Sequence, residues 1–311
     1  MNLLEVKNLH TYFETDRGLV KAVQGVSFAL KKGRTLGIVG ESGSGKSQTA
    51  MSILKLFEDN QKIYEGSIVY DGKELTQMTE KQLRSIRGNE ISMIFQEPVS
   101  SLNPVFTVKK QLNEAILLHQ DVTKKEATEI SLQMLEAVRI TEPKRIMKSY
   151  PFQLSGGMSQ RVMIAMALAC NPRMLIADEP TTALDVVIQA EILKLMNDLK
   201  HDFGTSIIFI SHDLGVVSQM ADDVIVMIQG KIVEQAPINK LFKNPIHPYT
   251  RILISAFMRT DINSSLNKEK KVDNYEMENE VFDFKNFKAN GEADSDWYAY
   301  EEDHFVAVNL K

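Results

Sequence analysis

Cysteine is nearly missing from this chain of 311 residues, where Cys170 stands alone. One thiol cannot close an internal disulfide, and no Cys cluster is left to hold zinc or an iron–sulfur centre. Long apolar runs are missing too, none nearing the ~18 residues of a membrane span. The opening MNLLEVKNLH has neither the basic start nor the apolar stretch of a secretory leader, so a cytoplasmic protein is expected. A strong charge of either sign is also lacking. The net is −5, and 13 acidic against 6 basic residues from Asp261 onward make −7 of it, so residues 1–260 carry −5 − (−7), or +2. Neither figure gives the basic field that nucleic acid requires, and nucleic acid is not expected as a partner. What the chain does have is 43% hydrophobic residues, enough for a substantial core.

Short apolar runs alternate with longer helical patterns, the mark of an α/β sheet domain. Strands are expected at Val26–Leu30, Leu36–Val39, Ile68–Tyr70, Ile91–Phe95, Met174–Ala177, Ser206–Ile210 and Val224–Ile228. Helices are expected at Lys46–Leu56, Val108–His119, Lys125–Val138, Gly157–Ala169 and Val186–Lys200. The two at 108 to 138 have no strand between them, so a helical insertion of about residues 100–155 is expected in a sheet domain spanning 1–260. Residues 261–311 begin as a polar linker but end with Phe282, Phe284, Phe287, Trp297, Tyr298, Tyr300 and Phe305. A disordered tail is poor in aromatics. This acidic, aromatic extension is expected to fold back onto the main domain or onto a partner.

Four stretches carry chemistry. Gly40-Glu41-Ser42-Gly43-Ser44-Gly45-Lys46-Ser47 fits G-x-x-x-x-G-K-S between a strand and a helix. Its glycines let backbone N–H groups turn in around phosphate oxygens, Lys46 reaches the β- and γ-phosphates, and Ser47 ligates Mg²⁺. Four specified positions arise by chance in about one percent of chains this long, taking Gly at ~7%. Met174–Ala177 is an apolar strand ending in Asp178-Glu179, where one carboxylate suits a metal and the next suits an attacking water. Ile208–Ile210 leads to His212, placed to sense a γ-phosphate if its strand shares the sheet. Leu154-Ser155-Gly156-Gly157-Met158 opens a second glycine-containing helix. One triphosphate needs one phosphate loop, so this second helix start makes sense if two copies pair head to tail.

In that order, with TALD at Thr182–Asp185, these motifs resemble an ATP-binding cassette (ABC) ATPase over residues 1 to about 257. The resemblance implies a P-loop fold with a mixed sheet core, a helical subdomain, an antiparallel β part and a small C-terminal extension. It implies ATP and Mg²⁺ as ligands, with Phe13 stacking on adenine (Tyr12 is the alternative) and Gln48 beside the phosphate loop. Glu179 would be the catalytic base, and Ser47, Asp178 and Gln96 would attend the metal. Ser155, Gly156 and Gly157 would grip the partner's ATP, and Asp185 would sit at the dimer seam. Met158 departs from the glutamine of many cassettes but keeps the backbone N–H.

The resemblance also accounts for FQEPVSSLNPVFTV at residues 95–108, where an apolar run stops at Gln96 and gives way to a polar, proline-bound loop. Gln96 resembles the cassette glutamine at the joint with the helical insertion. The loop beyond it would meet a short helix of a membrane subunit. QEPVSSLNPVFTV together with NPIHPYTRILISAF at 244–257 resembles the dipeptide, oligopeptide and nickel branch of importers. The implied assembly has two membrane permease subunits, a second related ATPase in preference to a second copy, and an external binding protein. Its place is the cytoplasmic face of the membrane. Nickel or a metal chelate is the alternative cargo to peptides. Many members of the branch carry a C-terminal cysteine cluster, and this chain lacks it, so no iron–sulfur centre is expected. A soluble cassette ATPase usually has two cassettes or a coiled-coil insertion, and a regulatory module would be expected to lack Glu179 or His212.

Overall fold

Two strand patterns become two sheets. The computed structural model describes residues 1–96, 101–182, 184–262 and 297–307. β1 (Asn2–Thr15) and β2 (Gly18–Lys31) are long antiparallel strands. They are followed by β3 (Thr35–Val39) and the helix α1 (Lys46–Leu54). β4 (Gln61–Tyr70) and β5 (Lys73–Glu74) then complete a sheet of order β2-β1-β4-β5. After α2 (Glu80–Ile86) and β6 (Ile91–Ile94) come the helices α3 (Val108–His119), α4 (Lys124–Ala137) and α5 (Pro143–Ile146), with a 3₁₀ turn at Pro151–Gln153. The chain continues through α6 (Gly156–Leu168), β7 (Met174–Asp178), α7 (Val186–Phe203), β8 (Ser206–Ser211), α8 (Leu214–Met220), β9 (Asp223–Ile228) and β10 (Lys231–Pro237). It closes with α9 (Ile238–Lys243), α10 (Pro248–Ile262), β11 (Trp297–Glu301) and β12 (His304–Ala307).

The second sheet has the order β11-β12-β10-β9-β3-β8-β7-β6. Its strands from β9 to β6 are parallel, and β3, β7 and β8 are buried at every position. Strands covered on both faces read as unbroken apolar runs, which is why the sequence shows them so clearly. Alternation along them divides two cores. Ile208 and Ile210 face the layer shared with the antiparallel sheet and α1, where Leu4, Val26 and Ile53 pack. Ile207 and Phe209 face the helices, packing with Leu112, Leu135, Ile164 and Leu195.

Several elements differ from expectation. β6 stops at Ile94, and Phe95 is 38% exposed, so the run expected to reach Phe95 is one residue shorter. It is an edge strand, paired on one side with β7. The sequence reading passes over β1 because a bulge breaks its alternation. Pairing shifts between Val6 and Leu9, Asn8 takes φ 47, and Gly66 opposite lies so close that a Cβ there would meet Asn8 O at 2.4 Å. β10, α2, α8, α9 and α10 are likewise absent from the expected set. The last described segment, β11–β12, is a hairpin whose β12 pairs with β10 at Glu234↔Val306 and Gln235↔Phe305. Trp297 packs against the first-layer core and Val306 is buried. Phe282, Phe284 and Phe287 lie outside the described residues.

Candidate active site

Parallel strands deliver their C-terminal ends to one edge of the sheet, and there the predicted residues collect. β3 ends at Val39 and the chain turns at once into Gly40. A Cβ at Gly40 would lie 2.1 Å from Met227 O, and one at Gly45 (φ 98) would lie 2.4 Å from Ala22 O. The loop Gly40–Gly45, with Ser42, Gly43 and Ser44, is thus pressed against β9 and β2 by contacts that only glycine permits. Ser44 Oγ is buried without a hydrogen-bond partner. Lys46 opens α1 and its ammonium donates to Gly40 O and Glu41 O, 2.8 Å each. Burial pulls its pKa down, opposed by the charges of Glu179, Asp178 and Glu41.

The ends of β7 and β8 complete the cluster. Ser47 Oγ donates to Asp178 Oδ1 at 3.0 Å. Burial raises the pKa of Asp178, an effect offset by Ser47 and Lys46. A buried carboxylate beside a hydroxyl is a donor set for a hard cation, and Mg²⁺ typically takes one or two carboxylates and completes its shell from phosphates and water. Among the described residues no group of three or more His, Cys, Asp or Glu is placed to hold a metal. Glu179 adopts φ 46, unusual for a residue with a side chain, while its N–H still pairs with Ile210 O at 3.0 Å. The turn redirects its carboxylate, and one oxygen, Oε2, faces three groups. Thr182 Oγ1 donates at 2.9 Å, His212 Nδ1 lies at 3.1 Å, and Gln96 Nε2 donates at 3.3 Å.

These bonds set the charge state. The hydrogen bond with His212 holds the Glu179 carboxyl below its usual range against burial, with Thr182 helping. The same bond pushes His212 up. A lowered carboxylate keeps its contribution above its unfolded pKa and loses it as pH falls through the folded value. A raised imidazole keeps its contribution below its unfolded pKa and loses it as pH rises through the folded value. The ion pair is therefore complete between about pH 4.5 and 6.5 and dissolves on either side. NMR titration of His212 should give a midpoint above that of an ordinary histidine, and Glu179→Gln should bring it down. An unmoved midpoint would show that the two side chains do not pair in solution.

The remaining predicted residues fall into two groups. Phe13 lies on β1, in the antiparallel sheet. It is half-buried on the face of β1 that carries Thr11, whose hydroxyl contacts Ser52 of α1 at 2.8 Å. Opposite Phe13 stands Gln61, which donates to Gln48 Oε1 of α1 at 2.7 Å. Tyr12 faces the other way, its hydroxyl 2.8 Å from His10 Nδ1 and its ring 4.8 Å from that of Tyr64. The second group is built on separate elements. Ser155 caps α6 by accepting the N–H of Met158 at 3.3 Å, so its oxygen is used within the helix while its hydroxyl proton remains a donor. Gly157 packs so near α7 that a Cβ would meet Ile188 Cγ2 at 2.9 Å. Asp185 caps α7 through Val187 N and Ile188 N, beside the exposed Val186 and Val187. No hydrogen bond described joins Ser155, Gly156, Gly157 or Asp185 to the phosphate loop.

Two contacts went unread in the sequence. Thr182 was seen only as part of TALD, yet its hydroxyl is one of the Glu179 donors, and a hydroxyl three residues past the carboxylate was the available signal. Tyr249 accepts the Glu41 N–H at 3.1 Å from 208 residues away, and no local pattern announces such a pairing.

Known proteins resemble this chain in sequence and in fold. Residues 23–182 match the ABC transporter family, and residues 233–280 match the oligopeptide/dipeptide transporter C-terminal region. The oligopeptide transport ATP-binding protein AppD of Bacillus subtilis is 54% identical over 255 residues, 82% of this chain and 78% of that protein. OppD of Salmonella typhimurium is 51% identical over 259 residues, 83% of this chain and 77% of its own. Among solved structures, the dimeric post-hydrolysis state of the ATP-binding cassette MJ0796, bound to ADP and Pi, superimposes with a TM-score of 0.68 at 28% identity. That match covers 76% of this chain and 98% of MJ0796. The chain is an ATPase of the ABC transporter family, on its oligopeptide/dipeptide branch.

Proposed function

We propose that this chain is one of two cassettes that drive peptide import from the cytoplasmic face of a membrane. The observation that carries the mechanism is the convergence of Gln96, Thr182 and His212 on one oxygen of Glu179, beside the Ser47–Asp178 pair and Lys46. Phe13 takes the adenine, on the face of β1 that turns toward α1. The loop N–H groups and Lys46 hold the phosphates, with Gln48 beside them. Ser47 and Asp178 would hold Mg²⁺, with Gln96 as an additional neutral amide ligand. When bound, that ion neutralises charge on the β- and γ-phosphates. Glu179 takes the proton of the attacking water as its oxygen bonds to the γ-phosphorus and ADP leaves. His212, whose pKa the same carboxylate raises, lies ready for the γ-phosphate charge. Gln96 would release Glu179 to hold the attacking water, which ties the site to the loop that follows it.

Ser155, Gly156 and Gly157 of one cassette close over the ATP of the other, and Asp185 lies at the seam. We take residues 1–260 as the nucleotide-binding domain and 261–311 as its extension. The surface beyond Gln96 supports contact with a permease subunit. Val105 is 69% exposed and Phe152 71%, Tyr150 and Phe152 stack at 5.6 Å, and the two segments are tied by Val108 N to Ser149 O. Exposed apolar groups of this kind mark interaction sites. Among the described residues no helix is long and apolar enough to cross a membrane. In this reading two permease subunits form the path for the peptide. The second ATPase is a related chain in preference to a copy of this one, and an external binding protein presents the peptide. Tagging the Glu179→Gln form and extracting membranes gently with Mg-ATP tests the assembly. Two membrane proteins and a second ATPase should co-purify. Recovery alone, or with ribosomes and nothing from the membrane, would overturn the transport reading.

A further inference from the structure

The stretch Asn244–Phe257 marks a branch in the sequence, yet in the fold it reaches the phosphate loop. Tyr249, in the first turn of α10, is fully buried, and its hydroxyl accepts the Glu41 N–H at 3.1 Å. The carbonyl of Glu41 in turn accepts Lys46 Nζ at 2.8 Å and the Ser44 N–H at 3.1 Å. One loop residue is therefore pinned on its donor side by Tyr249 and on its acceptor side by the phosphate-binding lysine. Burial pushes the Tyr249 phenol up, so it stays a neutral hydroxyl.

The bonds continue behind Tyr249. Its own N–H donates to His247 Nδ1 at 3.2 Å. The N–H groups of Ile246 and His247 donate to the two oxygens of Glu234 on β10, at 2.8 and 3.0 Å. Glu234 is fully buried and lies 2.7 Å from Nε2 of the equally buried His304 on β12. An unbroken path, buried from His304 to Tyr249 and half-buried at Glu41, thus runs from the C-terminal hairpin to Lys46. The hairpin has further fastenings to the same region. Lys240 Nζ donates to Glu302 O, Asn244 Nδ2 donates to the Tyr300 hydroxyl at 3.0 Å, and the Tyr300 ring meets His304 edge-on at 5.5 Å. Buried hydrogen bonds in series are costly to leave half-made, so displacement at one end is felt along the path.

We propose that Tyr249 is a positioning residue for ATP binding and that the C-terminal hairpin, through His304 and Glu234, holds it in place. The inference rests on the phosphate-loop reading. Acting through Glu41 and Lys46, such a residue alters the grip on ATP rather than the chemical step. Tyr249→Phe keeps the buried ring and removes the hydroxyl that accepts the Glu41 N–H. Calorimetric binding of Mg-ATP to the full chain should weaken by about 3- to 10-fold, the scale of one hydrogen bond, with kcat at saturating ATP within about twofold. His304→Leu should weaken binding in the same direction. His304→Gln, which keeps a donor near the Nε2 position, should restore it. In the double variant Tyr249→Phe/His304→Leu the losses should not multiply, because both act through one contact. Normal wild-type binding with Tyr249→Phe unchanged would overturn this inference alone, and losses that multiply would overturn the route through Tyr249. A wild-type chain that fails to bind ATP would instead remove the phosphate-loop reading beneath it.

Discussion

Glu179→Gln is expected to lower ATP turnover by about 10²- to 10⁴-fold while ATP binding persists. The substitution is nearly isosteric, so an amide oxygen remains for Thr182 Oγ1, which donates to Oε2 at 2.9 Å. What disappears is a basic lone pair. An amide does not accept a proton from water at neutral pH, and no other carboxylate in the cluster replaces it. Asp178 already accepts the Ser47 hydroxyl, the pair assigned to the cation in the proposed site, so it does not stand in for Glu179 at the water. The measurement is phosphate release at saturating Mg-ATP beside a binding isotherm. Undiminished turnover would remove Glu179 as the base, and loss of binding would make it structural.

Lys46→Ala is expected to weaken ATP binding by about 30- to 4,000-fold. Truncating one member of a buried, hydrogen-bonded charge pair costs roughly 2–5 kcal/mol, and about 1.4 kcal/mol is a factor of ten. Lys46 is 4% exposed, and its ammonium is already aimed across the loop by two carbonyls. Both carbonyls would lose the ammonium, Glu41 O keeping the Ser44 N–H, and Asp178 and Glu179 would lose the positive charge that favours their ionised forms. Equilibrium binding measures the first effect. Near-normal affinity would mean that the loop N–H groups alone hold the phosphates.

Much of the site was legible because its residues are tied to local pattern. A fully buried parallel strand appears as an apolar run, and the polar residue that ends it must lie at the sheet's C-terminal edge. Gln96, Asp178, Glu179 and His212 fall at or just past such ends, and Lys46 opens the helix that follows one. The motif order that identifies the ABC family is local in the same way. Antiparallel elements were harder to read. β1 was hidden by its bulge at Asn8, and Phe95 looked like core although β6 has a neighbour on one side only. Whether Tyr12 or Phe13 turns toward α1 depended on which face of β1 meets α1, a matter of packing between distant segments.

The sequence by itself determined the chemistry: a phosphate loop, a carboxylate pair and a histidine, each attached to its own strand, in the order of an ABC ATPase. Tertiary structure decided how they act on one another. Three donors meet on one oxygen of Glu179 because β6, β7 and β8 end side by side, across separations of 83 and 33 residues for Gln96 and His212. The C-terminal hairpin joins β10 at the other end of the sheet, and Tyr249 reaches Glu41 across 208 residues. Local periodicity records which face of an element is buried and carries no record of which distant element buries it.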